Sequence, residues 1–86
     1  MKVQKSGSII TVDLHGMRAE DARFRLAHLI TQAPPDTTEI VVIHGFNNGH
    51  ALRDMVRMDF THPRVKSVLK TLTDGKTRLL LKKQAR

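Results

Sequence analysis

The sequence predicts an α/β domain: a two-layer sandwich with the element order β-α-β-α-β-β and a four-stranded mixed sheet. Three observations predict it. Apolar residues alternate with polar ones in short segments, they recur at helical spacing in two longer segments, and an Asp-Gly pair separates the last two strand-like segments. These patterns are typical of half-buried strands, amphipathic helices and a tight hairpin. A length of 86 residues is enough for one such domain only.

The first half of the chain predicts a strand, a helix and a second strand. Residues 8–14 alternate apolar and polar side chains, and Gly16 follows them as a break. Residues 19–33 predict a helix because one apolar stripe runs along them at helical spacing, formed by Ala22, Leu26, Leu29, Ile30 and Ala33. A Pro-Pro pair ends this helix. Residues 39–44 predict a strand whose unbroken apolar centre is typical of burial on both faces.

The second half predicts a second helix and a hairpin of two strands. The helix is expected over residues 50–60, where the inward positions are Leu52, Met55, Val56 and Phe60. The strands are expected over residues 65–73 and 77–83, with Asp74-Gly75 as the two-residue turn between them. Right-handed crossover connections place both helices on the same side of the first three, parallel strands, which produces the two layers.

The distribution of polar and apolar residues predicts where the folded domain begins and ends and in which cellular compartment the protein lies. Residues 1–7 are polar and are expected to form a flexible N-terminal segment, and residues 8–86 are expected to form the folded domain. No apolar run approaches the ~20 residues of a membrane span, and the N-terminus lacks the apolar core of a secretory signal. The chain has no Cys, which excludes disulfides and thiolate metal sites. We therefore expect a cytoplasmic protein with no membrane partner.

The charge is concentrated in the last third of the chain. Fifteen Lys and Arg residues against eight Asp and Glu residues give a net charge of +7. Basic and acidic residues balance over residues 1–61, whereas residues 62–86 contain Asp74 as their one acidic residue and therefore carry the whole excess. A basic excess confined to one part of a small domain favours a polyanionic partner such as nucleic acid.

Two clusters of polar residues follow the first two predicted strands. Asp13 and His15 lie two residues apart at the end of the first strand, and His44 ends the second. Because the carboxyl ends of parallel strands meet at one edge of a sheet, we expect the three side chains to lie close together. Two imidazoles and an orienting carboxylate suit metal-free phosphodiester cleavage. The same groups could instead hold a divalent metal ion, or only form hydrogen bonds at strand ends.

A glycine-containing loop and several cations point to an anion at the same edge. The loop leads into the second helix and consists of Gly45, Phe46, Asn47, Asn48 and Gly49. Arg18 precedes the first helix and Arg53 lies in the first turn of the second, where a cation is unfavourable unless a bound phosphate offsets it. Lys76 and Arg78, at the start of the last strand, would add further positive charge for binding the phosphates of a nucleic acid. Phe46 could stack on a base or pack under the loop.

Three motifs resemble those of the Smr (small MutS-related) domain family. Residues 12–16, Val-Asp-Leu-His-Gly, are similar to the family signature Leu-Asp-Leu-His-Gly. Residues 44–53 resemble its second motif, typically His-Gly-Lys-Gly-x-Gly-x-Leu-Arg, and residues 62–65 resemble the segment before its third strand. The resemblance runs from about Ile10 to Lys82, which is nearly the whole chain.

The resemblance implies a fold like the C-terminal domain of translation initiation factor three, with sheet order 1-2-4-3 and an antiparallel fourth strand. It also implies nucleic-acid binding, since many members are endonucleases that nick DNA or cleave RNA, some of them at stalled ribosomes. The motif residues of the family carry over to Asp13, His15, His44, Gly45, Leu52 and Arg53.

The second motif departs from the family pattern. Phe46 stands in place of the usual Lys, Asn47 in place of the second Gly, and the loop is one residue longer. We expect an endonuclease, either a phosphodiester hydrolase or a transesterase, with Asp13, His15 and His44 as catalytic residues and no predicted cofactor. The departures favour an alternative, a module that binds nucleic acid or a ribosomal surface without chemistry. A protein-interaction domain is a third interpretation. The choice of DNA or RNA, metal dependence and oligomeric state are not predicted.

Overall fold

The computed structural model describes residues 1–45, 50–72 and 75–82, and these contain five strands and two helices. In chain order the elements are β1 (Lys2–Ser6), β2 (Ile9–Asp13), α1 (Ala19–Gln32), β3 (Glu39–Ile43), α2 (Ala51–Asp54), which continues as a π-helical segment (Met55–Asp59), β4 (Val65–Lys70) and β5 (Lys76–Leu81). The predicted order β-α-β-α-β-β is confirmed, with one strand added in front of it.

The sheet has the order β1-β2-β3-β5-β4. Strands β2 and β3 are parallel, and β5 is antiparallel to both of its neighbours, β3 and β4. This confirms the mixed sheet and the central position of the last strand. The hydrophobic residues of β2, β3 and β5 that point toward the helices are fully or almost fully buried.

The added strand corrects the expectation of four strands, and it lies within residues 1–7, the segment that the sequence predicts to precede the folded domain. β1 pairs antiparallel with β2 through a two-residue loop in which Gly7 has a φ of +61°. Glycine at the first central position with positive φ suits the tight turns that join antiparallel strands. Every residue of β1 is exposed, so the strand contributes backbone pairing to the edge of the sheet and little burial. That is why its sequence carries no apolar signal.

Both helices pack on one face of the sheet, and the core lies between the two layers. Helix α1 buries Ala22, Leu26 and Ile30 against this face. The predicted second helix is α-helical only at its start, because Phe60 N–H donates to the carbonyl of Met55, five residues earlier. Met55, Val56 and Phe60 nevertheless reach the core as predicted. No helix in the described part of the chain is long and apolar enough to cross a membrane.

A buried arginine closes the far end of α1. The guanidinium of Arg64 donates to the carbonyl oxygens of Ile30 at 2.7 Å, Ala33 at 2.8 Å and Pro34 at 3.0 Å. The last carbonyls of a helix have no partner within the helix, and a cation suits the negative end of its dipole. Arg64 therefore ties the chain before β4 to the end of α1.

Candidate functional site

The parallel pairing of β2 with β3 brings the two predicted polar clusters to one edge of the sheet. Asp13 is in register with Ile43, and the backbone N–H of Leu14 donates to the carbonyl of Ile43 at 2.7 Å. We call this edge, residues 13–18 and 43–45, the rim. The cross-strand row through Asp13 continues to Lys2 on one side and, beyond Ile43, to Lys76 on the other. Two lysines therefore share this row with the carboxylate.

Asp13 and His15 form a hydrogen-bonded pair at the rim. Oδ1 of Asp13 accepts from the backbone N–H of His15 at 3.1 Å and from its ring Nδ1. An ionised carboxylate can only accept, so Nδ1 carries the proton in this contact. The hydrogen bond from the His15 ring lowers the pKa of Asp13, and the positive charge of Lys2 acts in the same direction. Asp13 is thus held as a carboxylate that orients the imidazole.

The ring of His15 faces solvent. Its side chain is 69% exposed, and because Nδ1 is engaged with Asp13, Nε2 is the nitrogen left for a ligand. Gly45 lies directly against this residue, since a Cβ added to Gly45 would lie 3.3 Å from the Cβ of His15. Gly45 also has a φ of +73°, a conformation that L side chains rarely adopt. Both features favour glycine where the two motifs meet.

His44 occupies a different environment from the one its spacing predicts. Successive strand residues point to opposite faces, and His44 points toward the helices, where it is 3% exposed. Its Nδ1 donates to the carbonyl of Gly45 at 3.1 Å, and its Nε2 lies 2.9 Å from Oγ1 of Thr77. The described residues show no hydrogen bond between His44 and the Asp13–His15 pair. The catalytic role of His44 stays a prediction, and this position favours a role in holding Gly45.

Arg57 completes a chain of hydrogen bonds behind the rim. Its Nε donates to Oγ1 of Thr77 at 2.8 Å, and its Nη2 donates to the carbonyl of Lys76 at 3.0 Å. The Thr77 hydroxyl can then donate to Nε2 of His44, whose Nδ1–H donates to Gly45. Burial lowers the pKa of His44, and the charges of Arg57 and Arg53 lower it further. A neutral His44 fits this chain.

Sequence reasoning missed Arg57, Thr77 and Lys2 as parts of the site. The partners of Arg57 lie 19 and 20 residues away on β5, so only the tertiary fold brings them together. Lys2 belongs to the strand that carries no apolar signal. A sequence cue for Lys2 was nevertheless present, because Gly7 lies between two short segments that can pair as a hairpin.

The predicted cations are distributed unevenly around the rim. Arg18 is the N-cap residue of α1, is exposed, and makes no side-chain capping bond. Lys76 is exposed at the start of β5. Arg53 is partly buried and donates from Nε and Nη2 to Oδ1 of Asp54, both at 3.3 Å. Arg18 and Lys76 are therefore more open to a ligand than Arg53.

Arg78 is engaged elsewhere. Its guanidinium donates to both carboxylate oxygens of Glu39, at 2.8 and 3.0 Å, on the face of the sheet that carries no helix. Of the predicted loop, Phe46, Asn47, Asn48 and Gly49 lie outside the described residues. Within the described residues, no group of three or more His, Asp or Glu side chains is arranged to hold a metal ion.

Comparisons with known proteins agree with this architecture. No curated protein sequence matches the chain significantly. The fold is similar to the crystal structure of the Smr domain of Thermus thermophilus MutS2, with a TM-score of 0.65 and 24% sequence identity, over 84% of this chain and 96% of that one. The family model of the Smr domain matches residues 12–77, which include Asp13, His15 and the second motif. The chain belongs to the Smr domain family.

Proposed function

We propose that this Smr domain binds RNA or DNA at the rim and cleaves phosphodiester bonds there, with His15 as the acid–base group and Asp13 as the carboxylate that orients it. Smr domains generally bind nucleic acid, and the family has nuclease-related members. The observation that carries the proposal is the Asp13–His15 hydrogen bond with the other ring nitrogen of His15 open to solvent. A carboxylate that orients an exposed imidazole is an arrangement that general acid–base catalysis uses.

In this proposal His15 transfers the proton and Asp13 stabilises the charged ring. Nε2 of His15 accepts a proton from the attacking oxygen, which is a water or, in RNA, the neighbouring 2′-hydroxyl. The attacking oxygen forms a bond to phosphorus while the bond to the leaving oxygen breaks, and the leaving oxygen takes up a proton from solvent or from the imidazolium. Asp13 stays ionised throughout, because its hydrogen bond with His15 lowers its pKa.

Binding in this proposal depends on exposed cations around the rim. Arg18, the N-cap residue of α1, and Lys76, at the start of β5, place positive charge there. Each phosphate neutralised by such a cation releases counterions, so affinity falls steeply as salt concentration rises. We expect Arg18→Ala to weaken binding to all sequences alike and to reduce the slope of log affinity against log salt by about 1.

The test is a cleavage assay with the purified protein and its His15→Ala variant. Labelled single- and double-stranded RNA and DNA are incubated with each protein, with and without a chelator. We expect wild-type protein to cleave at least one substrate and His15→Ala to bind it without cleaving it. Analysis of the product ends separates hydrolysis from attack by a 2′-hydroxyl. Cleavage by His15→Ala at the wild-type rate would show that the assigned site is wrong.

A second candidate function is a nucleic-acid or ribosome-binding module without chemistry. The burial of His44 favours it, because a buried imidazole with both nitrogens engaged cannot exchange a proton with a bound substrate. The replacement of Lys by Phe46 in the second motif favours it as well. Salt-dependent binding without cleavage under any metal condition would select this function over the endonuclease.

A further inference from the structure

An aromatic side chain stands exposed on the outer face of α1. Phe24 is 81% exposed, whereas Phe60, the other phenylalanine among the described residues, is buried. The residues that α1 buries, Ala22, Leu26 and Ile30, lie on the opposite side of the helix. Phe24 therefore contributes little to the core, and its ring is free to contact a partner.

Phe24 belongs to a surface pocket that begins beside the rim. The pocket is an open depression of about 510 Å³, lined by residues of α1 and of the loop before it, Met17, Glu20, Asp21, Phe24 and Arg25. Glu20 and Asp21 precede Phe24 by four and three residues, so the three share one face of α1, and Met17 lies in the loop before the helix. Met17 follows His15 by two residues and therefore joins this pocket, which we call the Phe24 pocket, to the rim.

We propose that the Phe24 pocket binds one unpaired nucleobase of a nucleic acid whose phosphates lie at the rim; the inference rests on the proposed nucleic-acid binding. The Phe24 ring offers a flat apolar surface on which a base can stack. Arg25 lies beside it and can cover the base or meet a phosphate.

The two carboxylates in the pocket favour a base over a phosphate. Glu20 and Asp21 are in no ion pair of the described residues, and they would repel a phosphate placed against them. A carboxylate accepts hydrogen bonds from the amino groups of adenine, cytosine and guanine. The pocket therefore combines a stacking surface with acceptors for the edge of a base.

The distance along the helix fits a nucleotide next to the bound phosphate. Phe24 lies five residues beyond Ala19, the first residue of α1, which is about 7.5 Å along the axis at ~1.5 Å per residue. A base in a duplex is stacked between its neighbours and cannot enter such a pocket. The pocket would therefore make the domain prefer single strands, loops or bulges over continuous duplex.

The chain offers a direct test because it contains no Trp and no Tyr. Phe24→Trp creates a single fluorophore in the pocket, and Met58→Trp creates a control at another exposed position, where Met58 is 75% exposed. Both are prepared with His15→Ala so that the nucleic acid stays intact. We expect a single-stranded 12-nucleotide RNA of mixed sequence to quench the tryptophan at position 24 on binding, and the matching duplex not to. The control tryptophan should change with neither.

Affinity measurements separate this inference from the proposed function. We expect Phe24→Ala to weaken binding of the labelled single strand by about 5-fold or more, the effect of losing one stacked base, and to leave duplex binding unchanged. Met58→Ala should change neither affinity. Equal loss for both substrates, or no loss, would overturn the Phe24 pocket while leaving nucleic-acid binding intact. If wild-type protein binds neither RNA nor DNA, as single strands or as duplexes, the proposed function fails and the inference fails with it.

Discussion

The carboxylate of Asp13 accepts hydrogen bonds from two donors of His15, its backbone N–H and its ring Nδ1. The backbone bond closes a local turn where β2 ends, and the ring bond sets the orientation of the imidazole. Asp13 thus stabilises the loop after β2 and orients the side chain of His15 within that loop. Together the two hydrogen bonds leave Nε2 of His15 exposed.

We expect Asp13→Asn to reduce cleavage by about 100-fold, because an amide cannot stabilise the charged imidazole in the transition state. Affinity for the nucleic acid should change less than about twofold, since Asp13 is not a phosphate ligand. Initial rates and fluorescence anisotropy on the same labelled substrate measure the two effects. Asp36→Asn, a change to an exposed carboxylate before β3, is the matched control. An Asp13→Asn variant with the wild-type rate would remove Asp13 from the mechanism.

We expect Gly45→Ala to reduce cleavage more than its cost in stability explains. The added Cβ would approach the Cβ of His15 to 3.3 Å and would also be strained by the φ of +73°. Gly7→Ala introduces a comparable backbone strain at a φ of +61°, with nothing within 4 Å of its Cβ. Both variants should lose about 1–2 kcal/mol of unfolding free energy, but only Gly45→Ala should shift the NMR resonances of the His15 ring. Identical His15 spectra in the two variants would contradict this.

The free energy of unfolding should decrease as pH falls below about 6.5. Burial lowers the pKa values of His44 and His62 in the folded protein, so the unfolded chain takes up protons that the folded chain does not. Chemical unfolding followed by circular dichroism at several values from about pH 7 to about pH 5 measures this slope. His44→Gln should flatten it, and the control His28→Gln, at an exposed position on α1, should not. A slope unaffected by His44→Gln would rule out His44 as its source.

We expect Arg64→Ala to lower the free energy of unfolding by about 3 kcal/mol, because charged hydrogen bonds to buried carbonyls are lost together. The carbonyls of Ile30, Ala33 and Pro34 would be left without this donor at the end of α1. Lys66→Ala, which removes an exposed cation from β4, should change stability by less than about 0.5 kcal/mol. Urea unfolding of the two variants decides the question, and equal stabilities would show that Arg64 does not hold the helix end.

The elements that the sequence predicts well are those that bury a face. Helix α1 and strands β2, β3 and β5 carry apolar residues whose spacing reflects the core, and each lies within a few residues of its predicted bounds. Strand β1 is exposed throughout, so pairing of its backbone rather than burial of side chains defines it. The inward positions of the second helix fit helical spacing and predict a continuous α-helix, whereas its hydrogen bonds change to the five-residue pattern after Asp54.

By itself, the sequence determined the order of the elements and the edge where the motifs meet, and it placed Asp13 two residues from His15. These depend on short-range spacing and on the direction of parallel strands. Only the tertiary structure decided that His44 points into the core toward Thr77 and that Arg57 stands behind it. Which face of a strand is covered depends on where both helices pack, and the partners of these residues come from β5, far along the chain. Which side of α1 packs on the sheet is likewise decided by the tertiary structure, and this packing leaves Phe24 exposed.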